Sequence, residues 1–302
     1  MISFNKEHLP TFTLKFLFNK IAIVGLGFIG GSLGLAIKKK KIAKEILGID
    51  IDQKNLSVAK KLKIIDYAYN LRSKRIGFKN IKLVIIATPV KSIARIVKDI
   101  LPVLDKGTVI TDTGSVKMSI MYEIEKILPD DIFFIGGHPI AGSEHSGAKF
   151  SDENLFAGMK TVLTPTAKSD SASLRSVRNL WERIGSKVVL MTPEEHDTIF
   201  ASVSHLPHIL AFSMINTISS LNCKNKNIFS YTGGGFRDFT RIAKSNPLMW
   251  HDIVFENKNQ ILASMDYFIA YLENIKSLIK RGEWKKIRNE FSKAQNIRRK
   301  LN

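Results

Sequence analysis

The sequence has little cysteine, no long apolar run and few acidic residues. Its 302 residues include one cysteine, Cys223, so no disulfide can form within the chain, and we expect a reducing, cytoplasmic compartment. No uninterrupted apolar run of about 18 or more residues occurs, so we expect no membrane-spanning helix.

Acidic residues are outnumbered: 46 lysines and arginines against 27 aspartates and glutamates give a formal net charge of +19. Such an excess is typical of proteins that meet nucleic acid, a membrane surface or small anionic molecules. The basic residues are spread along the chain, with short clusters such as Lys38–Lys41. We interpret most of them as solvated helix faces that also raise the local concentration of an anionic substrate.

The chain is long enough for two domains, and its 44% hydrophobic residues are ordinary for a globular protein. Up to about residue 191, apolar strand-like runs alternate with helical periodicity, which predicts helices over Gln53–Lys63 and Ile93–Leu104. This alternation predicts an α/β fold, a doubly wound (Rossmann-type), mostly parallel sheet. From Pro193 onward only helical periodicity occurs, so an all-helical dimerisation domain should follow. The expected divisions are an N-terminal extension (1–19), a dinucleotide-binding domain (20–191) and a helical substrate and dimerisation domain (192–302).

The stretch from Ile21 to Asp52 has the order and spacing of a dinucleotide-binding βαβ unit. The apolar run IAIV meets Gly25-x-Gly27-x-x-Gly30, a helical pattern follows, and the next strand ends in Asp50, 20 residues beyond Gly30. The glycines allow a tight turn, a close pyrophosphate and close helix packing, and free amides at the helix start attract negative charge. Asp50 should bind a ribose 2′-hydroxyl and repel a 2′-phosphate, so the expected cofactor is NAD; its alternative is a solvated strand end.

Ligands of open α/β sheets bind beyond the carboxyl ends of the strands, so the loops there are candidate sites. Thr88-Pro89 follows one strand, and the segment TDTGSVK follows the next and predicts a helix that begins near Ser115. GGHPIAGSEHSG follows a third strand, while SHLPH and GGGFRDFTRIA lie in the helical half. The expected cofactor-binding residues are Gly25, Gly27, Phe28, Ile29, Gly30, Asp50, Thr88, Pro89 and Asp112.

These motifs together resemble the prephenate dehydrogenase family, which includes arogenate dehydrogenases. GLGFIGGSL, TDTGSVK, GGHPIAGSEHSG, SHLPH and GGGFRDFTRIA occur in the family's order between about Ile21 and Trp250. The resemblance implies a homodimer that oxidises and decarboxylates prephenate to 4-hydroxyphenylpyruvate, on the way to tyrosine, with NAD as hydride acceptor. Such a reaction needs a base for the hydroxyl proton, and histidine has a suitable pKa of about 6.5.

By this resemblance His138 is the catalytic histidine, and Ser115 is the serine that supports it and the ring hydroxyl. The alternative for His138 is a histidine that caps a turn, and the alternative for Ser115 is a helix N-cap. Arg241 matches the substrate arginine of the family. A guanidinium suits this role because prephenate carries carboxylates. The other substrate-binding positions that the resemblance implies are Ser143, Glu144, His196, His208, Asp238 and Trp250.

Several of these residues have ordinary alternatives. His196 could be a surface helix residue, Glu144 a solvated loop acid, and Trp250 a core aromatic, while Arg237 with Asp238 could form a structural ion pair. Pro207 lacks a backbone donor and should kink or break its helix near Val203. The histidines of SHLPH have no clear third ligand, so no metal site is expected.

Three rival functions remain at this point. Arogenate differs from prephenate by an amino group in place of the keto group, and the sequence does not separate the two substrates. A nucleotide-sensing protein that binds nucleic acid would exploit the charge of +19, but we expect neither a nucleic-acid nor a membrane partner. Another β-hydroxyacid-type dehydrogenase would share the two-domain plan, but HPIAGSE and GGGFRDFTRIA argue against it.

Overall fold

The computed structural model describes residues 16–73, 77–142, 145–221 and 227–301. The expectations for most of the N-terminal extension, for Cys223 and for the site residues Ser143 and Glu144 therefore lie outside the described residues.

Eight strands form one sheet in the order β3-β2-β1-β4-β5-β6-β7-β8, in which every neighbouring pair is parallel except β6 with β7. The first six strands have the doubly wound order of a dinucleotide-binding fold. The strands are β1 (Phe18–Val24), β2 (Ala43–Asp50), β3 (Tyr67–Asn70), β4 (Leu83–Ile86), β5 (Val109–Asp112), β6 (Phe133–Pro139), β7 (Lys160–Thr164) and β8 (Lys187–Leu190).

Helices connect the strands and make up most of the rest of the chain. They are α1 (Phe28–Lys39), α2 (Gln53–Lys61), α3 (Ile93–Ile100), α4 (Met118–Ile124), α5 (Ser171–Arg183), α6 (Pro193–Phe200), α7 (Leu206–Ser220), α8 (Gly234–Thr240), α9 (Pro247–Glu256), α10 (Lys258–Lys280) and α11 (Trp284–Arg299). The predicted fold, a mostly parallel doubly wound sheet followed by helices, is confirmed.

The centre of the sheet is apolar on both faces, as expected for strands covered by crossover helices. All four residues of β4 are buried, and Ile21 and Ile23 of β1 are fully buried. Leu33 and Ile37 of α1 pack into the same core. The core therefore lies on the strands whose carboxyl ends carry the predicted cofactor loops.

The chain divides into two compact units. The first comprises the described residues up to His196 together with Ser245–Glu256, and the second comprises Asp197–Lys244 and the described residues from Asn257 onward. The expected linear boundary at 191/192 lies close to the first division. It did not anticipate that α9 packs with the first unit, against Val90–Ser92 after β4.

The sequence predicts a kink or break near Val203, and at this point a π turn interrupts the α-helical hydrogen bonds while the chain remains helical. Residues Ala201–His205 form a π turn between α6 and α7, in which the Leu206 amide donates to the Ala201 carbonyl five residues back. Within the second unit, the Asn257 side-chain amide donates to the Asp197 carbonyl (2.8 Å) and lies 3.1 Å from His205 Nδ1. Asn257, the residue between α9 and α10, therefore holds the π turn and the end of α6 in place.

The segment Pro193–Ser220, which contains this turn, is long and apolar enough by length and composition to cross a membrane, because a stretch of 18 residues within it has a mean hydropathy of 1.4. Core helices of soluble proteins meet the same criterion.

Local boundaries differ from the predictions where tertiary contacts decide them. The edge strand β3 was missed, and helix α3 ends at Ile100, before Pro102. Helix α4 begins at Met118, three residues after the predicted start near Ser115, and Lys117 rather than Ser115 occupies its N-cap position. Lys117 is fully buried in the protein interior.

Candidate active site

The glycine loop after β1 has three glycines with three different surroundings. Gly25 has φ +93°, and a Cβ there would lie 2.4 Å from the Ala87 carbonyl oxygen. A Cβ at Gly30 would lie 1.9 Å from the Gly25 carbonyl oxygen, so helix α1 packs directly on the turn. Around Gly27, in contrast, nothing lies within 4 Å of an added Cβ. The loop is therefore closely packed at its ends and open in the middle, where a pyrophosphate would approach.

The start of α1 suits an anion. Gly27 caps this helix without a side-chain hydrogen bond, and no acidic residue occupies the first turn, which contains Phe28 and Ile29. The positive end of the helix dipole is therefore available for negative charge.

Asp50, at the end of β2, is fixed beside the glycine loop. Its Oδ2 accepts a hydrogen bond from the Leu26 amide (2.6 Å), and its Oδ1 accepts one from the Asp52 amide (2.8 Å). The side chain is buried in this position, so it is not the solvated strand end that was the alternative. A fixed carboxylate here accepts a ribose hydroxyl and repels a 2′-phosphate, which fits NAD.

Thr88 and Pro89 follow β4 next to this loop. Thr88 is half-buried and its Oγ1 accepts a hydrogen bond from Ser92 Oγ at 3.0 Å, whereas Pro89 is exposed. The close approach of Gly25 to Ala87 brings the β4 loop against the glycine turn. Both residues therefore lie where a dinucleotide would cross the sheet edge.

A buried ion pair joins the ends of β5 and β6. Asp112 and Lys117 are both fully buried and form a salt bridge. Asp112 also accepts hydrogen bonds from the amides of Gly114 (2.8 Å) and Gly137 (2.9 Å), and Lys117 Nζ donates to the Gly137 carbonyl at 2.8 Å. Both carboxylate oxygens of Asp112 therefore bind groups inside the protein. The prediction that the Asp112 side chain contacts the nucleotide does not fit this structure.

His138 follows Gly137 on β6 and pairs with a second histidine. Its Nδ1 lies 2.8 Å from Nε2 of His196, which is fully buried. A capping box places His196 in the first part of α6: the Glu195 amide donates to Thr192 Oγ1 (3.1 Å) and the Thr192 amide donates to Glu195 Oε2 (2.8 Å). His196 is therefore not the surface helix residue that sequence reasoning left open.

Ser115 lies half-buried in the loop between Asp112 and Lys117. Strand β5, which precedes it, pairs with β6, which carries His138. Ser115 and His138 therefore leave the same edge of the sheet from neighbouring strands.

The second unit places His208 close to a guanidinium. His208 Nδ1 donates to the Ser204 carbonyl at 2.9 Å. Burial lowers the pKa of His208 below 6.5, and the charge of Arg241 lowers this pKa further, while the hydrogen bond to Ser204 opposes both. His208 therefore tends to stay neutral beside a permanent positive charge.

The other predicted substrate residues are spread over both units. Asp238 and Arg237 are exposed on α8. Adjacent residues of a helix point in different directions, and within the described residues these two form no ion pair with each other. Trp250 is buried within the first unit, on α9. In the described ranges no three His, Cys, Asp or Glu side chains converge as a metal site would.

Sequence reasoning missed Lys117 and Asn257. The signal for Lys117 was its place five residues after Asp112 in a loop already considered functional. Asn257 gave no local signal, because its two partners come from a distant helix.

The contrast between Gly27 and Gly30 gives a prediction for the cofactor loop. Gly27→Ala should leave the thermal unfolding midpoint unchanged, because its Cβ meets nothing, but should weaken NAD binding by blocking the pyrophosphate. Gly30→Ala should lower the unfolding midpoint, because its Cβ collides with backbone. Calorimetric titration with NAD and thermal unfolding measure both effects. Unchanged NAD affinity in Gly27→Ala would contradict the assignment.

The neighbourhood of His208 gives a pH prediction. Arg241→Gln should raise the His208 pKa, because it removes a charge that disfavours the imidazolium, although burial still keeps this pKa below 6.5. NMR titration of the imidazole nitrogens measures the pKa. Arg237→Gln, four residues earlier on α8, is the matched control and should leave the His208 pKa unchanged. A His208 pKa that does not rise in Arg241→Gln would refute the described electrostatics.

Comparison with known proteins adds independent evidence. Residues 33–190 match the family model described as prephenate dehydrogenase, nucleotide-binding domain, and residues 192–293 match the one described as prephenate dehydrogenase, dimerization domain. The prephenate dehydrogenase of Bacillus subtilis is 36% identical over 92% of this chain and 75% of its own length.

Two solved structures are similar over almost the whole chain. Prephenate dehydrogenase from A. aeolicus, in complex with hydroxyphenyl propionate and NAD+, is 37% identical with a TM-score of 0.90, covering 94% of this chain and 99% of that one. Synechocystis arogenate dehydrogenase is 28% identical with a TM-score of 0.80, covering 94% of this chain and 100% of the other. From the two family models, the relatives and the site geometry together, we conclude that this chain belongs to the prephenate dehydrogenase family.

Proposed function

We propose that this protein catalyses the NAD-dependent oxidative decarboxylation of prephenate to 4-hydroxyphenylpyruvate in tyrosine biosynthesis. The observation that carries the proposal is the pair formed by His138 and the buried His196 at the carboxyl edge of a dinucleotide-binding sheet. Membership of the prephenate dehydrogenase family supports the same activity. The net charge of +19 then serves to attract a dianionic small substrate rather than nucleic acid.

The cofactor residues fit NAD. Gly27 leaves room for the pyrophosphate, the amides of Phe28 and Ile29 face it at the start of α1, and Asp50 is positioned for the adenosine ribose. Thr88 and Pro89 would line the path toward the nicotinamide. When bound, NAD supplies the acceptor for the hydride that leaves ring C4.

His138 is the proposed general base. Hydride loss from C4 is favoured when the 4-hydroxyl proton is removed as charge develops, because the hydroxyl becomes a carbonyl. His138 Nε2 can accept this proton only in the tautomer that carries its hydrogen on Nδ1. The 2.8 Å contact fits this tautomer when His196 carries its own hydrogen on Nδ1, so that its Nε2 accepts from His138 Nδ1. In that arrangement the second histidine holds the first in the form that can act as a base.

The same pair can return the proton. After oxidation, the bond to the ring carboxylate breaks, carbon dioxide leaves, and its electron pair moves through the ring to the C4 oxygen. The protonated His138 can then donate from Nε2 to this oxygen, which ends as the phenol hydroxyl.

Arg241 is the proposed anchor for a substrate carboxylate. A charge-assisted hydrogen bond from a guanidinium contributes about 1.5–3 kcal/mol, which corresponds to roughly 10- to 100-fold in binding. His208, kept neutral beside it, avoids a second full charge while it retains hydrogen-bonding capacity. Ser115 would support the hydroxyl end, and Ser143, Glu144, Asp238 and Trp250 remain proposed substrate contacts.

Arogenate is the alternative substrate. The specific observation in its favour is the similarity to an arogenate dehydrogenase structure, although its 28% identity is lower than the 36% and 37% of the two prephenate dehydrogenases. We therefore favour prephenate.

The deciding experiment follows reduced nicotinamide by absorbance with each pairing of prephenate or arogenate with NAD or NADP. Prephenate with NAD should give the highest kcat/KM, because Asp50 disfavours the 2′-phosphate of NADP. Equal or better turnover of arogenate would overturn the substrate choice, and absence of turnover with every pairing would refute the proposed activity.

His138→Asn serves as the mechanistic variant in the same assay. Loss of a general base should lower kcat by about 10²- to 10⁴-fold with NAD affinity retained. His251→Asn, an exposed histidine paired with its neighbour Asp252, is the matched control. An unchanged rate in His138→Asn would discard the proposed role of this residue.

We also propose a cytoplasmic homodimer. The second unit matches a dimerization-domain model, and its last two helices leave large apolar side chains exposed: Tyr267 (82%), Phe291 (60%) and Ile297 (64%). Such exposure on adjacent helices is typical of a surface that another chain covers.

Light scattering after size-exclusion chromatography should give twice the chain mass of 34.0 kDa. A monomer that remains active at the same concentration would contradict this assembly.

A further inference from the structure

We propose that Lys117 is a positioning residue for the reaction: with Asp112 it holds the main chain of Gly137, and thereby directs His138 toward substrate and His196. The inference rests on the proposed function, since it assigns a role to Lys117 through the proposed base. Lys117 itself is fully buried and would not touch the substrate.

The need for such a residue follows from the sheet. The last residue of β5 that pairs with β6 is Thr111, opposite Ile135, while β6 continues to Pro139. On its other side, β6 pairs with β7 through Gly137 and Leu163. Beyond the end of β5, the backbone groups of Gly137 that point toward β5 have no strand to bond with.

The ion pair takes the place of the missing strand. Asp112 Oδ1 accepts from the Gly137 amide at 2.9 Å, and Lys117 Nζ donates to the Gly137 carbonyl at 2.8 Å. One acceptor and one donor thus bind both main-chain groups of a single residue, as a neighbouring strand would. The salt bridge between them keeps this acceptor and donor together.

Gly137 makes the restraint necessary. A Cβ at this residue would lie 2.7 Å from the Asp112 carbonyl oxygen, so the close approach of the two strand ends requires glycine. Glycine is also the residue with the greatest backbone freedom, and it directly precedes the proposed base. Without the two hydrogen bonds, only the ladder with β7 on the other side would restrain the backbone that carries His138.

The competing explanation is that the pair only stabilises the fold. Apolar or neutral replacements of a buried ion pair are often neutral or stabilising, whereas removal of one partner is strongly destabilising. Stability and catalysis can therefore be separated by comparing a single substitution with a double one.

The test compares Lys117→Met with the double variant Asp112→Asn, Lys117→Met. The single variant leaves a buried carboxylate without its ammonium and should have a strongly lowered Tm. The double variant is neutral and keeps an acceptor for the Gly137 amide, so most of the Tm should return. It still lacks the donor for the Gly137 carbonyl, so kcat should stay about 10- to 100-fold below wild type, because a displacement near 1 Å can cost about 10²-fold. NAD affinity should remain within about twofold.

The matched control is Asp66→Asn, Lys38→Met. In this half-exposed pair of the same unit, Lys38 Nζ lies 2.7 Å from Asp66 Oδ1, and Asp66 Oδ2 accepts a hydrogen bond from the Ile46 amide, also at 2.7 Å. It therefore repeats the arrangement of a lysine paired with an aspartate that binds a backbone amide. Its double variant should keep wild-type kcat.

The outcomes are distinct. A wild-type kcat in the Asp112→Asn, Lys117→Met variant would overturn the positioning role. If that variant does not fold, Asp112→Asn, Lys117→Leu replaces it, since leucine also offers no donor, and failure of both to fold would assign the pair to stability alone and also overturn the proposal. Absence of prephenate turnover by the wild-type protein would refute the proposed function instead.

Discussion

The buried pair of Asp112 and Lys117 is the interaction on which the candidate site depends. Two opposite charges lie in the interior where strand β5 has ended and β6 has not, and they bind the main chain that leads to His138. Breaking such a pair costs about 3–5 kcal/mol, because the remaining charge is left buried alone. The fold can tolerate this arrangement only because each charge has several partners.

Three neighbouring features leave the carboxyl edge of the same sheet. The glycine loop with Asp50 forms a cradle for a dinucleotide, the β4 loop lies against it, and the end of β6 presents His138 with His196. Each is held by backbone contacts rather than by exposed side chains alone. The second unit holds a guanidinium beside a histidine that this charge helps to keep neutral. The groups of the first unit alone can support removal of a proton next to a bound dinucleotide.

Local sequence signals were sufficient where one short segment determines the structure. The dinucleotide unit could be predicted because its glycines, strand and acid follow each other within one stretch, and the helix irregularity near Val203 could be predicted from Pro207. The family resemblance supplied His138 and Arg241. The sequence could not reveal that Asp112 faces inward, since its partners Lys117 and Gly137 meet it only once β5 and β6 are paired. It also could not show that α9 packs with the first unit, nor that β3 forms, because edge strands depend on a neighbour.

The most direct measurement is a crystal structure of the protein with NAD and 4-hydroxyphenylpyruvate bound together. The account predicts that His138 Nε2 lies within about 3.2 Å of the phenol oxygen, while Nδ1 keeps its contact with His196 and both main-chain groups of Gly137 remain bound. A complex in which the phenol oxygen contacts another group, with His138 turned away from it, would contradict the account.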